Sequence, residues 1–272
     1  MTGRLAVDTQ PPGLPPGSHL VAAGDATGQI AIFDDTGASF DLSSSIWPQR
    51  IGSAGFDPEF LWIDFDGQGK PAGAGATCGA GAVGRTLVVH NADRLWSYCT
   101  GGQALPGWGS SLGDTLVTGI GAGDPDGDGY AEVLAQTIHS GIGFWNSSGR
   151  PSPGWPKPTT PEPFRTDSPP LATDVDGDGR TDVVAMNASG ILAALNSAGK
   201  APDGWPLATG SGATGSAVAA DLDRDGSMEI VAPDRTVDDS LSSAHRESIR
   251  DRPPSARKPT RVSECSTPIH SR

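Results

Sequence analysis

Asp174-Val-Asp176-Gly-Asp178-Gly179-Arg180-Thr-Asp182 sets carboxylates at positions 1, 3, 5 and 9 of a nine-residue stretch and a glycine at position 6. The same pattern returns as Asp124-Pro-Asp126-Gly-Asp128-Gly129-Tyr130-Ala-Glu132 and as Asp221-Leu-Asp223-Arg-Asp225-Gly226-Ser227-Met-Glu229. Carboxylates crowded in this way repel one another. At an effective dielectric of about 20, two unit charges about 4 Å apart cost roughly 4 kcal/mol. A hard divalent cation relieves that repulsion, and an all-oxygen ligand set suits Ca²⁺ better than zinc or copper. The glycine permits the sharp turn that folds the side chains towards one point. Position 7, occupied by Tyr130, Arg180 and Ser227, is expected to add a backbone carbonyl. The metal-free alternative is an acidic, glycine-rich surface turn, against which three copies in phase argue.

The loops follow the EF-hand pattern only through their first half. Position 12 is Ala135, Ala185 and Ala232, so the bidentate glutamate of an EF-hand is missing. The end of each loop runs into a strand-like stretch: Glu132-Val-Leu-Ala, Asp182-Val-Val-Ala and Glu229-Ile-Val-Ala. A calcium loop between β-strands is the expectation, with about three sites in the chain.

The repeat runs beyond the loop. Behind Asp182 come a strand, a turn at Gly190, the strand Ile191-Leu-Ala-Ala-Leu, the turn Asn196-Ser-Ala-Gly199 and then Gly204-Trp205-Pro206. Behind Glu132 the same order ends in Asn146-Ser-Ser-Gly149 and Gly154-Trp155-Pro156. Two further units lack the intact loop and end in Trp47-Pro48 and Gly107-Trp108. The four tryptophans lie 61, 47 and 50 residues apart, the longer interval holding a Gly/Ala-rich insertion at 71–84. Before it, Asp64-Phe-Asp66-Gly-Gln68-Gly69 is a decayed loop with Ala72 at position 9, expected to bind calcium weakly or not at all.

Short strands joined by tight turns and recurring every 40–50 residues indicate a β-propeller with one sheet per blade. We expect an all-β chain of about four and a half four-stranded blades over 1–234, at approximately 1–50, 51–110, 111–158, 159–208 and a partial 209–234. Each unit's tryptophan is expected to wedge between adjacent blades. The sequence Asp182-Val-Val-Ala-Met reads as a strand covered on both faces.

On these residues the chain resembles the FG-GAP/VCBS repeat family, the propeller units also found in integrin α-subunits. The resemblance implies one Ca²⁺ per Asp-x-Asp-x-Asp-Gly loop. It carries over to Asp124, Asp126, Asp128 and Glu132, to Asp174, Asp176, Asp178 and Asp182, and to Asp221, Asp223, Asp225 and Glu229. Glu at position 9 of two loops departs from the family's Asp but keeps the charge. The Phe-Gly and Gly-Ala-Pro signatures are poorly kept. The match is therefore to the calcium-loop half of the family, and it specifies fold more than function.

Composition agrees with a turn-rich β protein: 36% hydrophobic and 19% charged residues, with 38 Gly and 24 Pro. Residues 1–234 carry 11 Lys and Arg against 27 Asp and Glu, a balance of −16, so no basic face argues for nucleic acid. Residues 235–272 carry 8 against 5, are polar and aperiodic, and are expected to be a disordered, aberrant tail. The broken fifth blade is expected to expose Ile230 and Val231, leaving an open arc that can self-associate through its ends. No apolar leader follows Met1 and no run reaches the roughly 20 residues of a membrane span. Secretion or cell-surface display is expected from the repeat type. Cys78 and Cys99 sit in one unit, and their spacing leaves pairing open.

Catalytic patterns are weak. Gly79-Ala-Gly81-Ala-Val-Gly84 lacks the flanking strand and helix of a dinucleotide site. The five histidines form no metal spacing, and no Gly-x-Ser-x-Gly elbow is present. The expectation is a non-catalytic calcium-binding repeat module serving adhesion or recognition, with an unidentified protein or glycan ligand. The alternatives are the accessory propeller of a secreted enzyme, polysaccharide-active or peptidase, and a carbohydrate-binding propeller lectin.

Overall fold

The computed structural model describes residues 5–9, 15–40, 46–51, 58–65, 78, 85–91, 93–113, 116–137, 141–158, 169–186, 190–208, 217–224, 226–232 and 262–264. Among these there is no α-helix, and so none long and apolar enough to cross a membrane.

The described residues form five consecutive small sheets with strands in sequence order, the first four of them antiparallel meanders. The first blade holds β1 (Leu5–Asp8), β2 (Leu20–Gly24), β3 (Gln29–Asp34) and β4 (Gln49–Arg50). The second holds β5 (Glu59–Ile63), β6 (Thr86–Asn91) and β7 (Arg94–Cys99), and the third β8 (Leu116–Gly123), β9 (Glu132–Thr137) and β10 (Gly141–Trp145). The fourth holds β11 (Leu171–Thr173), β12 (Asp182–Met186), β13 (Ile191–Leu195) and β14 (Leu207–Ala208). The fifth holds β15 (Val218–Ala220), β16 (Glu229–Ala232) and β17 (Val262–Glu264). First strands of successive blades meet in series, β1 with β5, β5 with β8, β8 with β11 and β11 with β15. This is a propeller-like arrangement, with two sheets of four strands and three of three among the described residues.

The core lies between the blades, and strand alternation explains why. On β6, Leu87 and Val89 pack towards Leu20, Ala22, Ile30 and Ile32 of the first blade. Val88, pointing the other way, packs with Ile120, Val133 and Trp145 of the third. Likewise Val183 and Ala185 of β12 meet Leu134 and Phe144, while Val184 and Met186 meet Ile230 and Ala232. Hence β9 and β12 are buried along their whole length, as the run Asp182-Val-Val-Ala-Met predicts. Each such apolar side chain contributes about 1.5–3 kcal/mol on burial.

The tryptophans wedge between blades and also latch them. Trp47 Nε1–H donates to the carbonyl of Thr100 at 2.6 Å, Trp108 to Ser147 at 2.9 Å and Trp155 to Ser197 at 3.2 Å. Each acceptor is the second residue of the four-residue turn in the next blade, closed by Gly102 to Cys99, Gly149 to Asn146 and Gly199 to Asn196. The rings pack as well: Trp47 on Tyr98 at 5.6 Å, Trp108 on Phe65 at 5.7 Å and Trp155 on Phe144 at 4.6 Å between centroids. In the second blade Cys99 replaces the turn's Asn or Asp and is joined to Cys78 by a disulfide.

One expectation is corrected at the fifth blade. Ile230 is fully buried, because it faces the fourth blade and not the open end; Val231 is half-buried. Val262–Glu264 is a strand that pairs parallel with β16, Val262 opposite Ile230, and so covers the outer backbone edge of β16. The remainder of the 235–272 tail lies outside the described residues. Exposed apolar side chains do occur on the first strands at the two ends of the series, Leu5 and Val7 on β1 and Val218 on β15.

Candidate metal centres

Each acidic loop is the turn between the first and second strand of its blade: β8 to β9, β11 to β12 and β15 to β16. The strand pairs bring position 9 back beside the residue before position 1, as Gly123 opposite Glu132, Thr173 opposite Asp182 and Ala220 opposite Glu229. Position 9 thereby opens a strand of the blade core. It is only 2%, 2% and 5% exposed in the three loops.

The aspartate at position 1 shapes the loop by accepting backbone N–H groups. Asp124 Oδ1 accepts from Gly127 at 2.7 Å and Asp128 at 3.1 Å, and its Oδ2 from Gly129 at 2.9 Å. Asp174 repeats this with Gly177 at 2.7 Å and Gly179 at 2.8 Å, and Asp221 with Gly226 at 3.0 Å. Positions 4 and 6 both take left-handed backbone angles, with φ of 73° and 88° at Gly127 and Gly129. In the third loop position 4 is Arg224, held at φ 61° without a glycine's freedom.

Carboxylate oxygens of positions 1, 3 and 9 converge. Asp124, Asp126 and Glu132 each place one within 4.8 Å of the others, as do Asp174, Asp176 and Asp182, and Asp221, Asp223 and Glu229. Position 5 stands outside these triplets. Asp128 Oδ1 accepts from the Tyr130 N–H and Asp178 Oδ1 from the Arg180 N–H, both at 2.8 Å, which orients position 7. Asp225 lies outside the described residues, as do Asp66, Gln68, Gly69 and Ala72 of the decayed loop. In that second blade the strand after the insertion begins at Thr86, whose hydroxyl donates to the Ile63 carbonyl.

The three buried carboxylates differ through one residue that the ligand pattern ignores. Asp182 Oδ2 accepts the N–H of Val175 at 3.1 Å and Glu229 Oε2 that of Leu222 at 2.8 Å. The corresponding position 2 in the first loop is Pro125, which has no N–H. Glu132 Oε2 is accordingly buried without a hydrogen-bond partner. Burial, and then the charges of Asp126, Asp128 and Asp124, push the Glu132 carboxyl up to about 9. Burial also raises Asp182, but only to about 6, with the Val175 N–H acting against the shift. Asp126 is raised too, by burial first and then by Asp128 and Asp124. A buried carboxylate oxygen without a hydrogen-bond partner, set amid other carboxylates, is a donor set that fits a hard divalent ion.

The FG-GAP-like repeat family matches residues 174–232, from the first aspartate of the second loop to the end of β16. No curated protein matches the chain in sequence. Among solved structures, BBS1N in complex with ARL6DN, soaked with mercury, has a TM-score of 0.53 at 10% identity, over 84% of this chain and 62% of that one. The lead-soaked form of that complex has a TM-score of 0.47 at 14% identity, over 79% and 57%. The V. cholerae biofilm matrix protein Bap1 has a TM-score of 0.43 at 16% identity, over 72% and 28%. The chain thus spans less than two thirds of each of these structures. The first likeness supports the propeller-like fold. The matched segment holds two of the three acidic loops, β12 to β14 of the fourth blade and β15 and β16 of the fifth, and over these residues the chain is similar to the FG-GAP-like repeat.

Proposed function

We propose that this chain is a non-catalytic, calcium-stabilised repeat module of an extracellular protein, acting as a scaffold for adhesion or recognition. The observation that carries the reading is the convergence of three carboxylates in each acidic loop onto a buried position 9. Asp124, Asp126 and Glu132 would hold one ion, Asp174, Asp176 and Asp182 a second, Asp221, Asp223 and Glu229 a third. Asp128, Asp178 and Asp225 with the carbonyls of Tyr130, Arg180 and Ser227 complete the ligand sets. A bound Ca²⁺ would tie position 9 of the second strand to the end of the first strand, fixing the hairpin without doing chemistry. FG-GAP repeats typically occur in extracellular proteins, and the Cys78–Cys99 disulfide suits an oxidising compartment.

Calorimetric titration of metal-free protein is expected to give about three calcium sites. A stoichiometry near zero, or equal preference for Zn²⁺, overturns the reading. At a Kd of roughly 0.1–1 mM and about 1 mM free Ca²⁺, each site contributes roughly 0.4–1.4 kcal/mol by mass action. Asp176→Ala should therefore lower the melting temperature in calcium and change it little in chelator. Equal losses in both would make Asp176 an ordinary structural acid.

A further inference from the structure

Blade 2 departs from the other three complete blades at the tryptophan latch, and a cleft opens there. In blades 1, 3 and 4 a cis Trp–Pro bond precedes the residue that pairs with the outer strand: Gln49 opposite Ile30, Lys157 opposite Ile142, Leu207 opposite Leu192. Blade 2 has no proline after Trp108. The N–H that reaches the equivalent carbonyl, that of Leu95 at 2.7 Å, comes from Gly109. The site that carries a lysine in blade 3 therefore carries no side chain in blade 2.

The consequence is visible in the next blade. Lys157 lies across Gly199, where an added Cβ would run into its Cε, Cγ and Cδ. At the equivalent Gly149 it is the backbone of blade 2 that comes close, an added Cβ meeting the Gly107 carbonyl oxygen at 2.8 Å and the Trp108 ring at 3.2 Å. Beside this junction lies a cleft of about 340 Å³ between the second and third blades. Trp108, Ser110 and Leu112 line one side and Arg150, Pro151 and Pro156 the other. This volume lies in the range of small-ligand sites, about 300–1,000 Å³.

The chemistry of the walls selects the ligand. Peptide capture by strand addition is closed, because the outer backbone edges on both sides are already paired. Gly109 and Leu112 N–H groups bond Leu95 and Asp93 carbonyls, and Ile142, Asn146 and Ser152 bond Lys157, Arg150 and Phe144. Side chains remain. The Trp108 N–H is spent on Ser147, so Trp108 offers ring surface. Ser110 is exposed and offers a hydroxyl. Arg94 is held by the Gly109 carbonyl at 2.7 Å and faces Asp93 at 3.7 Å. Arg150 is exposed with no hydrogen-bond or ion-pair partner for its guanidinium among the described residues. In a chain of net charge −13 this leaves one uncompensated cation beside an indole and two prolines.

We propose that this cleft binds an acidic saccharide unit, a uronate. Its carboxylate pairs with the Arg150 guanidinium, its C–H face lies on Trp108, and a ring hydroxyl meets Ser110. The proposal deepens the recognition reading above and rests on it, but it does not use the calcium loops. The test titrates the full chain, at saturating calcium, with a galacturonate trisaccharide and with the uncharged galactose trisaccharide, following tryptophan fluorescence and heat. The acidic sugar should bind about tenfold or more tightly than the neutral one. Arg150→Gln should bring the two to the same level, and Ser110→Trp, which fills the cleft, should abolish both. Absence of acidic-sugar binding, equal binding of both sugars, or a short acidic peptide competing equally at Arg150 overturns the proposal. Calcium stoichiometry measured on the same preparation separates this failure from failure of the scaffold reading: about three sites with no sugar bound sinks the saccharide site alone.

Discussion

Pro125 should make calcium binding at the first loop strongly pH-dependent while the second loop stays flat. In the metal-free fold Glu132 titrates near about 9, against an ordinary value of 4.5. At pH 7 such a group is ionised to only ~1%, so coordinating a cation there expels close to one proton. Affinity at that loop should rise about tenfold per pH unit up to about 9, which is ~2.7 kcal/mol between pH 7 and 9. Asp182, raised only to about 6, is already ~90% ionised at pH 7 and should release about a tenth of a proton. The sign for stability is opposite. The folded metal-free state holds the Glu132 proton more tightly than the unfolded chain. Its contribution is therefore full below the unfolded value of 4.5 and is lost as pH rises through about 9.

Calorimetry of calcium binding at several pH values, in two buffers of different ionisation enthalpy, counts the protons released at each site. Glu132→Gln is the control: it should remove the steep component and leave the flat one. In chelator at pH 8 the variant should be at least as stable as the parent, and in calcium less stable. A parent whose calcium affinity is constant from pH 6 to 9, or a Glu132→Gln variant with the same slope as the parent, would refute the assignment of the effect to Glu132.

The repeat geometry gives two further expected outcomes. Trp155→Phe keeps the ring on Phe144 but removes the donor to Ser197, and should cost about 1 kcal/mol. Trp155→Ala should cost about 3–5 kcal/mol because it also empties a buried site, and equal melting temperatures for the two variants would deny the latch. Arg224→Gly should stabilise the fold by about 1 kcal/mol by relieving the left-handed backbone at position 4 of the third loop, and a loss of stability in chelator denaturation would show that Arg224 is held by contacts worth more than the strain.

The parts of this molecule that repeat were legible in sequence, because repetition separates signal from accident. Carboxylates at positions 1, 3 and 9 recur in three loops, and the structure brings them together in all three. The tryptophans recur at blade spacing, and three of them reach the same turn position in the next blade. Direction was less legible. Ile230-Val231 reads as an apolar pair at a broken end, yet alternation along β16 sends Ile230 into the fourth blade and leaves Val231 half-buried. The strand at Val262–Glu264 has no alternation or repeat to announce it in a polar tail. Its pairing depends on the unfilled edge of β16, a property of the fold and not of the segment.

Departures from the repeat carry the rest, and each acts by removing something. Pro125 removes one N–H at position 2, and a buried glutamate loses the partner that Asp182 and Glu229 keep. Gly109 follows Trp108 where the next blade has Pro156 and Lys157, and beside that junction lies a cleft whose Arg150 guanidinium has no partner among the described residues. Neither residue would be picked out by composition or by a ligand pattern, since proline and glycine are common in this chain. They become informative only against the other blades, which show what belongs at the vacated positions. The scaffold is therefore set by what the blades share, whereas the predicted pH response and the proposed ligand choice rest on where single blades deviate.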